Sequence, residues 1–308
     1  MPRTQRPDTQ RKTPFRPDRI VELNPPKENT TLLTFLIASM PDVKRTAIKQ
    51  MLAHNQVAVD SVPVKQFDMP LTPENRVKVN FTREFRVFRH RRLSIVYEDE
   101  HIIVINKGYG LLSMGNDKVR EGTAYSILRE YVKWENPMNK IFIVHRLDRD
   151  TSGLMMFAKT MEAKEKMQHN WNNMVLNRKY LAVVEGAPDP ANGTVRSYLA
   201  ENSQYEVYST DNAEEGQLAV TRYTTLKAGS RFALMEVELD TGRKNQIRVH
   251  MSDLGHPISG DRKYGAQTSP IHRLALHAQT LRFVHPVTRR EMNFSTPIPA
   301  PFLSLVRR

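Results

Sequence analysis

Hydrophobic positions change their spacing along this chain, and each spacing names an element. Leu32, Leu33, Phe35 and Leu36 mark a short amphipathic helix. Pro41 and Asp42 break it. Val43, Ala47, Ile48, Met51 and Leu52 then recur at helical spacing, with Lys44, Arg45 and Lys49 off that stripe. Val57 to Val59, a turn at Asp60-Ser61, and Val62 to Val64 follow as short strands, and Arg76 to Val79 alternates like an edge strand. Residues 30–80 are therefore predicted to form a small domain, two helices followed by strands.

From residue 93 the texture changes. Ile102 to Ile105 is an apolar run that predicts a buried strand, followed by a turn over Asn106-Lys107-Gly108-Tyr109-Gly110. Ala124, Ile127, Leu128, Tyr131 and Val132 form a helical stripe. Ile141 to Val144 and Leu154 to Ala158 predict two strands with a polar turn between them. Ala163, Met167 and Trp171, four apart, predict one helix, and Tyr180 to Val184 a strand. Ala233, Met235, Val237 and Leu239 alternate with Glu236 and Glu238, as in a half-exposed strand. Ile247, Met251 and Leu254 mark a helix ended by Gly255 and Pro257. Strands and helices mix without a regular alternation, so residues 93–308 read as an α+β domain with a mixed sheet.

Composition then narrows the partner. The 308 residues are 39% hydrophobic and 26% charged, enough to bury a core and too apolar for wholesale disorder. Lys and Arg outnumber Asp and Glu by 46 to 33, a net charge of +13 that favours polyanions, above all nucleic acid. Residues 1–29 read as a disordered basic tail: a solubilising extension, an arm that meets phosphates or, third, a transit peptide. Residues 81–92 read as a basic linker carrying Arg83, Arg86, Arg89, His90, Arg91 and Arg92, either a solvated strap or a phosphate contact. The absence of cysteine excludes disulfides, thiolate metal sites and a cysteine nucleophile, and fits a reducing cytosol. No apolar run reaches the roughly 18 residues of a membrane span, and no secretory leader is visible, so a cytoplasmic protein is expected.

Three segments carry candidate chemistry. His145-Arg146-Leu147-Asp148-Arg149-Asp150-Thr151-Ser152-Gly153 joins two apolar strands through a polar turn. Asp148 stands among arginines, which favour an ionised carboxylate, as a nucleophile or base requires; the alternative is an aspartate that only neutralises those arginines. Thr241 to His250 follows a strand and opens a helix, with Arg243 and Lys244 at its start: an anion site or a capped, solvated first turn. Tyr180 enters a strand after Asn177-Arg178-Lys179, as a core tyrosine or a base-stacking platform. The HRLD sequence is superficially like a kinase catalytic loop, but no glycine-rich phosphate loop accompanies it. The ten histidines form no metal-ligand spacing, so no metal is expected.

The order HRLDRDTSG, RKYLAVVEG, TGRKNQIRVHMSDLGHPISGDRKYG and RLALHAQTLRFVHP resembles the RluA-type family of RNA pseudouridine synthases over roughly 93–305. Residues 30–80 resemble the S-four-type RNA-binding module, with Asn55 where a glycine is usual and Asp60-Ser61 where an Asn-Gly turn is usual. The resemblance implies a mixed, largely antiparallel central sheet with flanking helices and loops, and a cofactor-free isomerisation of uridine to pseudouridine on a flipped-out base. Asp148 would be the catalytic carboxylate, acting on the sugar or the base. Arg248 would pair with it, and Tyr180 would stack on the base. Arg146 and Arg243 would hold the RNA, and Leu274 would pack beside the base. Lys107-Gly108-Tyr109-Gly110 replaces the usual Lys-Pro-x-Gly, and Lys244-Asn245 a usual Thr-His. The implied partner is RNA, ribosomal RNA of the large subunit first and transfer RNA second, acted on by a monomer. A catalytically silent RNA-binding protein of the same fold is the rival reading.

Overall fold

A computed structural model describes residues 19–307 apart from 61, 86–87 and 116–118. The chain divides into two compact units, Met1–Val87 and Phe88–Arg308.

In the first unit the strands are β1 (Ile20–Glu22), β2 (Thr30–Thr31), β3 (Val57–Val59), β4 (Val62–Pro63), β5 (Pro70–Leu71) and β6 (Val77–Asn80); the helices are α1 (Leu32–Ser39) and α2 (Arg45–Ala53). Four strands pair in the order β1-β6-β3-β4, and β2 pairs with β5. Leu32, Leu36, Ile48 and Leu52 from the helices meet Val57, Val59, Val77 and Val79 in one core, as the helical and alternating patterns require. Two sequence expectations are corrected. Residues 20–22, read as part of a disordered tail, pair with Asn80 to Lys78; residues 1–18 of that tail lie outside the described residues. This added strand makes β6 an inner strand rather than an edge, so its backbone bonds on both sides. Asn55, which the resemblance sets against a glycine, and Asp60, which it sets against the Asn of an Asn-Gly turn, take left-handed φ values of 53° and 49°, a conformation that Asn and Asp tolerate better than other side chains. Asp60 compensates further: its carboxylate accepts from the Asn75 amide (2.7 Å) and the Arg76 backbone N–H (2.9 Å). Its turn partner Ser61 lies outside the described residues.

The stretch read as a linker is tied down at both ends. Phe81 packs on the first core, and the Phe85 N–H bonds the Asn55 carbonyl (2.7 Å). Phe88 belongs to the second unit, edge-on to Tyr131 at 5.1 Å. Arg86 lies outside the described residues.

The second unit contains β7 (Leu93–Glu98), β8 (Ile102–Lys107), α3 (Ala124–Glu135), β9 (Phe142–Ile143), β10 (Ser152–Ala158), α4 (Met161–His169), α5 (Trp171–Met174), β11 (Val175–Glu185), β12 (Asn192–Glu201), β13 (Val207–Thr210), β14 (Gln217–Ala228), β15 (Phe232–Leu239), α6 (Gln246–Asp253), a 3-10 turn (Arg262–Tyr264), β16 (Leu276–Val284), β17 (Glu291–Ser295) and α7 (Ala300–Leu305). One sheet runs β13-β12-β14-β15-β11-β16-β10-β8-β7, with β17 on β16 and β9 on β10. Its described pairings are antiparallel except β10 with β16. This is the α+β class, with a mixed, largely antiparallel sheet.

The apolar runs of β8 and β10 have a direct cause. Ile103, Ile105, Met155 and Phe157 face α3, while Ile102, Val104, Leu154 and Met156 face the layer that includes α4. Strands covered on both faces lose the alternation of half-exposed ones. Thr123 caps α3 through a reciprocal bond with Ser126, and Thr160 caps α4. The single helix expected through Ala163, Met167 and Trp171 is interrupted at Asn170, which ends α4 and leads into α5.

The parallel pair sets the position of the functional loops. Ser152 and Gly153 lie beside His277 and Ala278, which brings the HRLD turn next to the start of β16. Gly153 has φ +118°, and a β-carbon on it would meet the Ala278 carbonyl oxygen at 2.2 Å. Two strands approach this closely only without a side chain there.

Candidate active site

The HRLD turn is held at its two shoulders. Before Asp148, the Ser113 hydroxyl donates to the Leu147 carbonyl (2.5 Å) and accepts from the Leu147 N–H (3.1 Å). After it, the Lys107 ammonium donates to the carbonyls of Arg149 (3.0 Å), Leu111 (2.8 Å) and Gly108 (3.2 Å). Lys107 is fully buried, and burial pushes its pKa down to about 7, with Asp150 and Asp148 opposing the shift. Leu147 anchors in the core under α3. The Asp148 carboxylate, fixed between these points, is left partly open to solvent. His145 at the entry is a neutral acceptor. Its Nε2 takes the Met156 N–H (3.0 Å), and burial, with Arg178 nearby, holds its pKa down to about 3.

Tyr180 reaches the same place from β11, two strands over. It pairs with Val237 on β15 and Ala278 on β16. A register shift lies between Lys179 and Tyr180, leaving Gln279 as the extra residue on β16; such bulges re-aim neighbouring side chains. Burial, reinforced by the charge of Asp148, raises the Tyr180 hydroxyl pKa against the opposing effect of Arg178, so the ring is a neutral phenol at physiological pH.

The third contribution is the loop from β15 into α6. Gln246, almost fully buried, ties it down: its amide oxygen accepts from the Thr241 hydroxyl (2.8 Å) and the Arg243 N–H (3.0 Å), and its amide nitrogen donates to the Val220 carbonyl (3.0 Å) and Thr221 hydroxyl (2.9 Å). Asn245 precedes the helix in a left-handed conformation, φ 55°. Arg248, in the first turn of α6, reaches back toward the HRLD turn.

A cleft of about 210 Å³ forms where these elements meet, lined by Arg146, Asp148, Tyr180, Arg243 and Arg248 among others. Five of the six expected site residues therefore share one cavity. The exception is Leu274, which is buried in the core beneath β11 and β15, with its carbonyl bonded by Arg273 (3.0 Å). Leu276, two residues on, lines the cleft instead. Leu274 precedes β16, whereas Leu276 is its first residue, and only from there does the chain run beside the HRLD turn.

The expected Arg248–Asp148 pair is looser than the sequence suggested. Arg248 Nη1 stands 3.9 Å from Asp148 Oδ2, beyond hydrogen-bond range. The hydrogen bonds of Arg248 go elsewhere: Nε and Nη2 to Asp261 (2.6 and 2.7 Å) and Nη1 to Asn245 Oδ1 (3.0 Å), with the Tyr264 ring 4.8 Å from the guanidinium carbon. Burial works against the charge of Arg248, but Asp261, then Asp148, outweigh it and raise its pKa above the usual arginine value. Sequence reading missed Asp261 and Ser113, and named Lys107 in a matched loop without giving it a role. The nearest signal was the match of GDRKYG to its motif, which marked Asp261 without saying what it would touch. Among the described residues no cluster of carboxylates and imidazoles could hold a metal ion.

Known proteins similar to this chain share one description. A family model described as RNA pseudouridylate synthase matches residues 101–253. The RNA pseudouridine synthase YhcT of Bacillus subtilis is 32% identical over 283 residues, covering 90% of this chain and 91% of that one. Ribosomal large subunit pseudouridine synthase D of Xylella fastidiosa is 32% identical over 283 residues, covering 86% and 85%. The solved structure of human RNA pseudouridylate synthase domain containing 4 superposes with a TM-score of 0.58 at 27% identity, covering 70% of this chain and 93% of that one.

Proposed function

The chain belongs to the RNA pseudouridine synthase family, an isomerase family, and from that premise we propose that it converts uridine to pseudouridine in large-subunit ribosomal RNA, with Asp148 as the catalytic carboxylate. The observation that carries this reading is the convergence of Asp148, Tyr180 and Arg248 on one cleft from three separated segments.

The reaction breaks the bond from uracil N1 to the ribose C1′, turns the base, joins C5 to C1′, and moves the C5 proton to N1. Atoms and electrons balance within the nucleoside, so no cofactor is called for. The partly open carboxylate of Asp148, held at both shoulders, can engage the sugar or the base. Tyr180 offers a neutral ring on which the detached uracil stacks while it turns. Leu276 closes the apolar side. Arg146 and Arg243, both exposed at the rim, hold phosphates around a nucleotide that has been flipped out. Extrusion costs a few kcal/mol of stacking, and these charge contacts offset it.

The first unit acts as an RNA-binding domain in this reading. Lys44, Arg45 and Lys49 stand exposed at the start and outer face of α2, and Arg89, Arg91 and Arg92 add charge at the beginning of the second unit. Ribosomal RNA is favoured by the relatives named as large-subunit enzymes. The enzyme works as a monomer in the cytoplasm, where that RNA is. No helix among the described residues is long and apolar enough to cross a membrane.

The test is a map of pseudouridines in total RNA from cells with and without the gene, complemented by wild type or Asp148→Asn. Loss of defined sites in 23S-type RNA, restored only by wild type, is expected. Restoration by Asp148→Asn refutes the carboxylate role, and loss confined to transfer RNA refutes the ribosomal target.

A further inference from the structure

Tyr109 carries a half-exposed aromatic ring on the loop that leaves β8, in the stretch where Gly108-Tyr109 stands in place of the usual Pro-x. The loop beneath it is clamped. Gly108 donates its N–H to the Arg92 carbonyl (2.7 Å), the Arg92 guanidinium donates to the Gly110 carbonyl (3.4 Å), and the Lys107 ammonium donates to the carbonyls of Gly108 and Leu111. One face of the Tyr109 ring lies on Arg273, whose guanidinium carbon is 4.6 Å from the ring centroid. That guanidinium is itself fixed. It donates to the Ser152 hydroxyl (2.7 Å) and to the carbonyls of Leu274 and Leu276 (3.0 and 3.3 Å), with the Phe302 ring 5.4 Å away. Covering Arg273 takes one face of the tyrosine, and the ring is still 50% exposed.

The place and the charge around this ring both point to nucleic acid. Arg273 reaches Ser152, the last but one residue of the HRLDRDTSG segment, and Lys107 bonds the carbonyls of Gly108 and Arg149 together. Tyr109 therefore stands beside the turn that carries Asp148. Arg91 and Arg92 are exposed on the segment that clamps the loop, and Arg149 is exposed on the turn, where Asp150 is its paired acid (3.3 Å). An aromatic face among arginines is what a nucleobase stacks on, whatever its identity, because every base has a π-face. Extruding the target uridine also takes a stacking partner away from its neighbours in the strand.

We propose that Tyr109 is a second base platform: its open face stacks on an RNA base next to the target uridine and replaces the partner that extrusion removes. The inference rests on the catalytic reading of the cleft and adds a subsite outside it.

The full-length enzyme is assayed on a synthetic RNA hairpin carrying a uridine that the pseudouridine map assigns to it, with each nucleotide flanking that uridine made abasic in turn. Tyr109→Leu is expected to raise KM by about fivefold or more and to leave kcat within about twofold, because a stack kept from binding to the transition state is uniform binding. Tyr109→Phe, which keeps the ring, stays within about twofold of wild type in both. In wild type one abasic position raises KM by a similar factor, and in Tyr109→Leu the same position adds nothing, since the partner is already gone. Abasic positions that raise KM by equal factors in the two proteins overturn the proposal and leave Tyr109 a cover for Arg273. A fall in kcat with KM unchanged also overturns it, since that is the mark of a loop that only supports the turn. Should Tyr109→Leu not fold, wild type is photo-cross-linked to hairpins with 5-iodouridine at the flanking positions; a cross-link to Tyr109 is expected, and cross-links confined to other residues overturn the proposal. Full turnover by Asp148→Asn on the same hairpin instead overturns the catalytic reading, and a map with no site dependent on the gene removes the enzymatic reading and this inference together.

Discussion

Lys107 donates to the carbonyl oxygen of Arg149 across 3.0 Å, with its ammonium wholly out of water. The bond joins the end of β8 to the residue after Asp148, and with Leu111 and Gly108 it uses all three N–H donors of the charged side chain. Replacing it by methionine keeps the volume and leaves those carbonyls unpaired, at about 1–3 kcal/mol for a buried group. Lys107→Met is expected to turn over at least about tenfold more slowly, with RNA affinity little changed. Wild-type turnover in a purified, folded sample would show that the shoulder at Arg149 needs no anchor.

Gly153→Ala places a β-carbon 2.2 Å from the Ala278 oxygen and 2.6 Å from its nitrogen, at a φ of +118°. Backbone cannot retreat as a flexible side chain could. The parallel β10–β16 pair has to open, at about 3 kcal/mol or more. A urea midpoint unchanged from wild type would contradict the close approach.

His277 is buried between the hydroxyls of Ser152 (2.8 Å) and Thr296 (2.8 Å), and burial, with Arg273 nearby, pushes its pKa from 6.5 down to about 4. Below pH 6.5 the unfolded chain takes a proton that the folded ring refuses until about pH 4, so stability falls as pH drops through this window. Between pH 8 and 5 the loss from this group is about 2 kcal/mol. Denaturant unfolding of wild type and His277→Gln at both pH values measures it, and an equal loss in the two proteins would remove His277 as the cause.

Arg146 and Arg243 are exposed at the rim of the cleft. Replacing either by alanine is expected to leave stability within about 0.5 kcal/mol and weaken RNA binding. The slope of log affinity against log salt falls by about 0.7–0.9 for each phosphate that the variant no longer neutralises. Titrations at several salt concentrations measure that slope; parallel lines for variant and wild type would place these arginines away from phosphate.

Leu274 and Leu276 separate core from cleft. Leu274→Ala is expected to cost about 2–5 kcal/mol of stability and leave the KM of the surviving folded enzyme unchanged. Leu276→Ala, which alters the cleft wall as well, also slows turnover. Identical kinetics for the two variants would erase the distinction between them.

Much of this molecule was legible one segment at a time. The periodicity at 124–132 marked α3, the apolar runs marked β8 and β10, and the HRLDRDTSG turn announced Asp148, because helix spacing, double-sided burial and turn chemistry are written over a few neighbouring residues. The motifs also named Tyr180 and Arg248. Apart from the local break of one expected helix at Asn170, what failed shared one feature: a partner far away in sequence. Residues 20–22 look like tail until Asn80 to Lys78 pair with them, and Leu276 displaces Leu274 only because β16 enters beside β10. Residue type and spacing by themselves determined the chemistry on offer: a carboxylate, a phenol and a set of cations in an α+β chain. The tertiary structure decided which of them meet, at what distance, and that Arg248 answers first to Asp261. Such meetings depend on strand pairing and packing between segments far apart along the chain, and local pattern carries no record of that.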